Sequence, residues 1–188
     1  MIDELIEAAR RVGEFRLHPL GFFYLQDELG DGVRRRIHVW LPDAGDRPDN
    51  DRHQHSFDIE SLVVAGKMQS EVYRFRQTEE GSELEFEVVY DTDKSSLRPT
   101  GRRGELDTVA SFETGAGHQY KLAAGVVHRV IVTEVPCITI LTVIERGEPI
   151  YSYGFTEEQP FVRRAPDANE AFRIAAIIAA AGSRRREK

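Results

Sequence analysis

Arg52-His53-Gln54-His55-Ser56-Phe57-Asp58-Ile59-Glu60-Ser61-Leu62-Val63-Val64-Ala65-Gly66 sets two histidines two positions apart, ahead of an apolar, β-branched run that a glycine closes. Residues two apart on a strand share a face, so His53 and His55 put two imidazoles side by side on one wall. A second stretch, Gly117-His118-Gln119-Tyr120-Lys121-Leu122-Ala123-Ala124-Gly125-Val126-Val127-His128, reads as strand, turn, strand, with a histidine just after the turn. Two imidazoles from one strand and a third from a distant one make a candidate metal site, because neutral imidazole is a good ligand for Zn, Fe, Cu and Ni.

The flanking sequence alternates in the same way. Arg35, Ile37, Val39 and Leu41 face one way along Arg34–Leu41, and Arg36, His38 and Trp40 face the other. Beyond Gly66, read as a turn, Met68–Arg76 alternates again, and so does Leu84–Tyr90. Pro42–Asn50 and Asp91–Asp107, rich in Asp, Gly and Pro, are expected to be loops, the second a long one. Thr108–Phe112 reads as a short strand, Cys137–Glu145 as the last core strand, and Gly147–Pro166 as irregular. The count comes to about nine to eleven short strands with turn signals between them, which argues for antiparallel strands in a sandwich or barrel.

Each end is expected to be helical. Ile2, Leu5, Ile6 and Ala9 form one apolar stripe over about residues 2–12, which Gly13 stops. For the second helix, about 167–181, Asp167 is the N-cap, Glu170 completes a capping box and Gly182 is the stop. Phe172, Ile174, Ala175 and Ile178 are its apolar positions, expected to dock on the barrel or on a partner.

The 188 residues suit a single domain, 1–188, with a barrel over about 15–146. With 40% apolar residues the chain can build a core. A net charge of -7 argues against a nucleic-acid partner, since phosphate binding needs clustered Lys and Arg. The arginine runs at 34–36, 102–103 and 184–186 read as solvated surface. The one cysteine, Cys137, lies in an apolar run, which excludes an internal disulfide framework and suits a buried thiol in a reducing compartment. No signal peptide and no run of the ~20 apolar residues that span a bilayer is read, so the expectation is a cytoplasmic protein with no membrane partner. A homodimer is the expected assembly, because two-fold dimers are the commonest oligomers.

The two histidine stretches resemble the motifs of the cupins, β-barrel proteins of the jelly-roll type. Their first motif runs HxH, three or four residues, Glu, six residues, Gly; here His53-x-His55 is followed by four residues, Glu60, five residues and Gly66. Their second runs G, five residues, PxG, two residues, H, three residues, N; here Gly117, Ala123-x-Gly125, His128 and Val132 stand at those spacings. The resemblance covers about residues 34–146 and implies an all-β, cupin-type double-stranded β-helix, a jelly-roll barrel, with flanking N- and C-terminal helices.

It also implies that His53, His55 and His128 are metal ligands. Glu60 takes the place of the family's glutamate when counted forward from His55, but alternation puts Ile59 on the ligand face unless a bulge turns Glu60 inward. A three-histidine site is similar to that of the thiol dioxygenases of this superfamily. The implied function is a non-haem iron dioxygenase or oxygenase acting on a small polar organic molecule, with Fe(II) favoured. The alternatives are a redox-neutral isomerase, lyase or hydrolase using Zn, Ni or Mn, or a small-molecule-binding barrel without chemistry whose histidines are simply hydrogen-bonded. Arg98, Tyr120, Tyr151 and Tyr153 are candidate contacts to a substrate carboxylate or phenol, beside the plainer reading as loop and core residues. His38 and His118 read as structural or surface residues, with the cavity as the second option.

Overall fold

A computed structural model describes residues 2–42, 51–91, 94–154 and 161–184. The loop expected at Pro42–Asn50 lies outside them from residue 43 onward, as do Phe155 and the end of the 184–186 arginine run. The chain opens with helix α1 (Ile2–Arg10) and a 3-10 turn (Val12–Glu14). Strands β1 (Arg16–Leu17), β2 (Phe23–Gly30), β3 (Val33–Trp40), β4 (Arg52–His53) and β5 (Phe57–Gln77) follow. Then come β6 (Glu83–Asp91), β7 (Lys94–Gly115), β8 (Gln119–Leu122), β9 (Val127–Glu145), β10 (Tyr151–Gly154) and β11 (Phe161–Val162). Helix α2 (Ala168–Arg184) closes the chain.

All strand pairs are antiparallel, and the hydrogen bonding runs in a closed circuit: β5 to β9, β4, β10, β6, β7 and back to β5. Closure removes the sheet edges that would otherwise invite pairing with other chains. The fold is all-β, a jelly-roll barrel of the cupin type with a helix at each end. Strands β5 and β9 stay paired from Phe57↔Glu145 to Tyr73↔Val127 and bend together from one side of the barrel to the other.

The bend explains why two expected strands are one. Gly66 is a β-bulge within β5 and does not end it; the register shifts between Val63 and Met68. Its φ of +75° suits glycine, and a Cβ there would meet the Glu134 carbonyl oxygen at 2.4 Å. Likewise the expected loop at Asp91–Asp107 is mostly strand β7, and the expected irregular stretch after Gly147 contains β10 and β11. Polar, Gly-rich composition gave way there to the pairing offered by β5 and β6 on either side.

The alternation of β3 divides the molecule into layers. Ile37, Val39 and Leu41 face outward onto the helices, in a core with Leu5, Ala8, Phe15, Ile138, Ile140, Ile174 and Ile178. Arg36, His38 and Trp40 face the barrel cavity. Helix α2 begins with a reciprocal capping box: the Glu170 N–H donates to Asp167 Oδ1 and the Asp167 N–H to Glu170 Oε2, both at 2.8 Å. The helix runs past Gly182 to Arg184. Phe172 departs from its expected place: it points away from the core and is 74% exposed, because it lies across the helix from Ile174 and Ile178.

Candidate metal centre

Strand pairing brings the three motif histidines together. His53 of β4 sits directly opposite His128 of β9, and facing residues on paired strands have Cβ atoms roughly 5 Å apart. His55 follows two residues on, and Gln54 between them turns to the other side, where its side chain donates to the Pro149 carbonyl at 3.0 Å. The turn of the second motif is fastened to the first: the Gly125 N–H donates to the His55 carbonyl at 3.0 Å, and the Ala124 N–H to Asp58 Oδ1 at 2.9 Å.

The ring centres lie 4.6 Å (His53–His55), 4.7 Å (His53–His128) and 5.1 Å (His55–His128) apart. One nitrogen from each falls within 4.8 Å of the others. Two nitrogens bound to one metal at roughly 2.1 Å stand roughly 3–3.4 Å apart, so small ring rotations bring the set onto an ion. Hydrogen bonds fix the tautomers of two rings. Nδ1 of His53 contacts the Asp51 carbonyl at 2.8 Å, and Nδ1 of His128 contacts the Val126 carbonyl at 3.0 Å. A carbonyl only accepts, so each Nδ1 carries the proton and each Nε2 keeps its lone pair for a metal. His55 is held by stacking on Phe57, with centres 4.5 Å apart.

Burial keeps all three rings neutral. It lowers the pKa of His53 and takes that of His55 well down; His128 falls to about 3, from burial first and the neighbouring His53 second. Three neutral donors aimed at one point suit a divalent cation, and the residues present fit one.

The cavity around them has two chambers, each of about 670 Å³ counting the space open to solvent. The inner chamber is walled by Phe22, Trp40, Phe57, Ile59 and Leu141 beside the histidines. The outer one runs past Leu97, Ile150 and Phe161 to Tyr90 and Arg163.

The other expected residues divide. Tyr120 lines the inner chamber, and burial raises its hydroxyl pKa. His38 lies there too, half-buried, and desolvation takes its pKa well down. His118 is exposed. Arg98 is exposed and pairs with Glu87 at 3.7 Å; neither it nor Tyr151 lines either chamber. Tyr153 is buried elsewhere, its hydroxyl 3.3 Å from Glu85. Glu60 lies outside the cluster: no bulge turns it inward, so it points to solvent and pairs with Lys121, while Ile59 takes the cavity side.

Sequence reasoning passed over His18 and Asp51 and read Arg36 as part of a solvated surface run, yet all three line the inner chamber, because strand alternation turns Arg36 to the cavity side with His38 and Trp40. His18 stacks on Phe22 at 4.3 Å, and its Nδ1 accepts from the Leu20 N–H at 3.2 Å. The proton of this neutral ring therefore sits on Nε2. A motif-free histidine in an irregular stretch gives no periodic signal. The inward side of Arg36, by contrast, was readable from its shared face with His38 and Trp40.

No family model and no curated protein matches the sequence. Among solved structures, the chain is similar to a hydroquinone 1,2-dioxygenase in complex with Cd2+ and 4-hydroxybenzonitrile, at 16% identity and TM-score 0.43, over 75% of this chain and 71% of that one. It is similar to a tryptophan-to-tyrosine variant of Bacillus subtilis oxalate decarboxylase at 11% identity and TM-score 0.42, over 71% of this chain. It is also similar to the formate complex of Lactobacillus farciminis oxalate decarboxylase at 13% identity and TM-score 0.41, over 80% of this chain. The chain spans 28% and 33% of the lengths of these two decarboxylases. Fold and site together define a cupin-type barrel with a candidate three-histidine metal centre.

Proposed function

We propose that this barrel is a metal-dependent enzyme, a non-haem iron oxygenase acting on a small polar organic molecule. One observation carries the reading: three neutral imidazoles, His128 buried on β9 and His53 and His55 half-buried at β4 and just after it, converge on one cavity, two of them with Nδ1 committed to backbone carbonyls. His53, His55 and His128 would hold the metal. Bound Fe(II) supplies redox chemistry with O₂, whereas Zn, Ni or Mn supplies Lewis-acid chemistry. The chain's own part is to hold and enclose. The Asp51 and Val126 carbonyls fix two ring orientations, Phe57 stacks on the third, and Trp40, Phe57, Ile59 and Leu141 give the inner chamber an apolar wall.

The test is elemental analysis of the purified protein beside a His53→Ala, His128→Ala double variant. Near-stoichiometric iron in the parent and none in the variant is the expected result, followed by O₂ uptake with candidate substrates. Zinc, nickel or manganese with anaerobic turnover would replace this reading by a redox-neutral isomerase, lyase or hydrolase. No metal in either protein after reconstitution would leave a binding barrel with structural histidines.

A further inference from the structure

The cavity wall carries two guanidinium groups that no carboxylate pairs among the described residues. Strand β3 has three successive arginines, and two of them have acids: Arg34 meets Glu145 at 2.6 Å and Arg35 meets Glu4. Arg36, the third of the run, lines the cavity and has none. Its Nε donates to the Gln26 side-chain oxygen at 2.7 Å, and its Cζ lies 5.1 Å from the Phe57 ring centre and 5.7 Å from that of Tyr24. Arg163, just past β11, lines the outer chamber with its Cζ 5.1 Å over the Tyr90 ring. Asp51 shares the inner chamber but forms no ion pair with either arginine.

A guanidinium taken from water without an acid is costly, and its fork leaves the two Nη ends able to donate. The two cations share one neighbourhood: burial raises the Tyr90 hydroxyl pKa, and the charges of Arg163 and Arg36 are the first influences opposing it. In a chain of net charge -7 such a pair is not a by-product of general basicity. His18 lines both chambers with its proton on Nε2, which adds a neutral donor to the walls that the cations and the histidine cluster share.

We propose that Arg36 and Arg163, with the Nε2–H of His18, form an oxyanion-recognition subsite beside the three histidines, and that the molecule acted on carries a carboxylate. Only the words "acted on" rest on the enzymatic reading above; binding itself requires no metal. A carboxylate fits better than a phosphate. The planar fork of Arg36 matches it with two parallel hydrogen bonds. The aromatic setting of Phe57 and Tyr24 suits a single charge, and among the described residues no helix N-terminus lines either chamber to take a second. The Phe57 ring bears both Arg36 and the stacked His55, so a carboxylate held by Arg36 stands one ring away from the histidine cluster.

The experiment is calorimetric titration of metal-stripped protein with benzoate, with its neutral isostere benzamide, and with inorganic phosphate, at fixed ionic strength. The proteins are the parent, Arg36→Gln, Arg163→Gln and the surface control Arg76→Gln, each checked for folding by circular dichroism. Benzoate is expected to bind at least about tenfold tighter than benzamide in the parent and in Arg76→Gln, the discrimination being lost in Arg36→Gln and reduced in Arg163→Gln. Equal binding of benzoate and benzamide, no benzoate binding, or unchanged discrimination in both arginine variants would overturn the subsite. Tighter binding of phosphate than benzoate would overturn the carboxylate assignment. Should Arg36→Gln fail to fold, Arg163→Gln and the benzamide comparison still decide. Metal content, measured on the same proteins after reconstitution, separates the two readings: an arginine variant that keeps its metal but loses benzoate discrimination supports the subsite alone, and a parent that binds benzoate but no metal sinks only the enzymatic reading.

Discussion

Strand alternation settles the side chains on either side of the site. Glu60 falls on the outward face of β5 and pairs with Lys121 in solvent, so Glu60→Gln is expected to leave the metal content at the parent's level. Its cost in stability should stay under about 1 kcal/mol, as for exposed ion pairs; metal analysis and a denaturant midpoint check both. Cys137 shows the opposite face of the same rule. It is fully buried among Phe22, Trp40, Val63 and Met68, and burial pushes its thiol up to about 12. A disulfide reagent at pH 8 should therefore leave the folded protein unmodified and react with one thiol only after denaturant is added. The motif histidines were legible because two residues apart on a strand is a geometric statement, and because the second stretch repeats the signal. His18, Arg36 and Asp51 gave no such signal as a group; only the meeting of β3, β4 and the segment after β1 makes them neighbours.

Among the elements, the best-read one was α2, where cap and apolar spacing agree with the observed start. Removing the cap by Asp167→Ala should cost about 1 kcal/mol in thermal or chemical unfolding. Its partner Glu170 adds a pH dependence. The Arg164 guanidinium, hydrogen-bonded at 2.6 and 2.7 Å, holds the Glu170 carboxyl below its ordinary value of 4.5. The folded state therefore favours the ionised form. Its contribution is full above the ordinary value and lost as pH falls through the lowered one. Because the pair is partly exposed, the effect is small: the melting point of Glu170→Gln should lie a little below the parent's at pH 7, and the gap should narrow as the pH falls below 4.5. The long strands were read poorly for a physical reason. Gly66 and Gly104 look like turn residues, yet each marks a crowded crossing; a Cβ at 104 would meet the Arg76 carbonyl oxygen at 2.3 Å. Gly66→Ala should accordingly destabilise by more than ~2 kcal/mol, from the strained φ and the overlap with the Glu134 carbonyl, and a shifted denaturant midpoint would register it.

At the scale of the molecule, the barrel closes through its shortest link. Strand β4 is two residues long, yet it joins β9 to β10 in the circuit and carries His53. Helices and β3 make a large core on the other side, with Ile174 and Ile178 fully buried, so the weak part of the structure is the wall that holds the candidate centre. A metal bound by His53 and His55 on one side and His128 on the other would tie β4 to β9 more firmly than its short hydrogen-bonded ladder does. Binding to the folded state alone adds about 2.7 kcal/mol at a hundredfold excess over Kd, which for a chain of this size corresponds to roughly 5–10 °C in melting point. Chelation should therefore lower the parent's melting point by that order, and restoring the metal should recover it. The His53→Ala, His128→Ala variant should melt at the same temperature with and without chelator, and hydrogen exchange should place the metal-dependent protection at β4 and the facing part of β9. A chelator effect of equal size in both proteins would mean that the ion acts elsewhere and that the three histidines close the wall by packing alone.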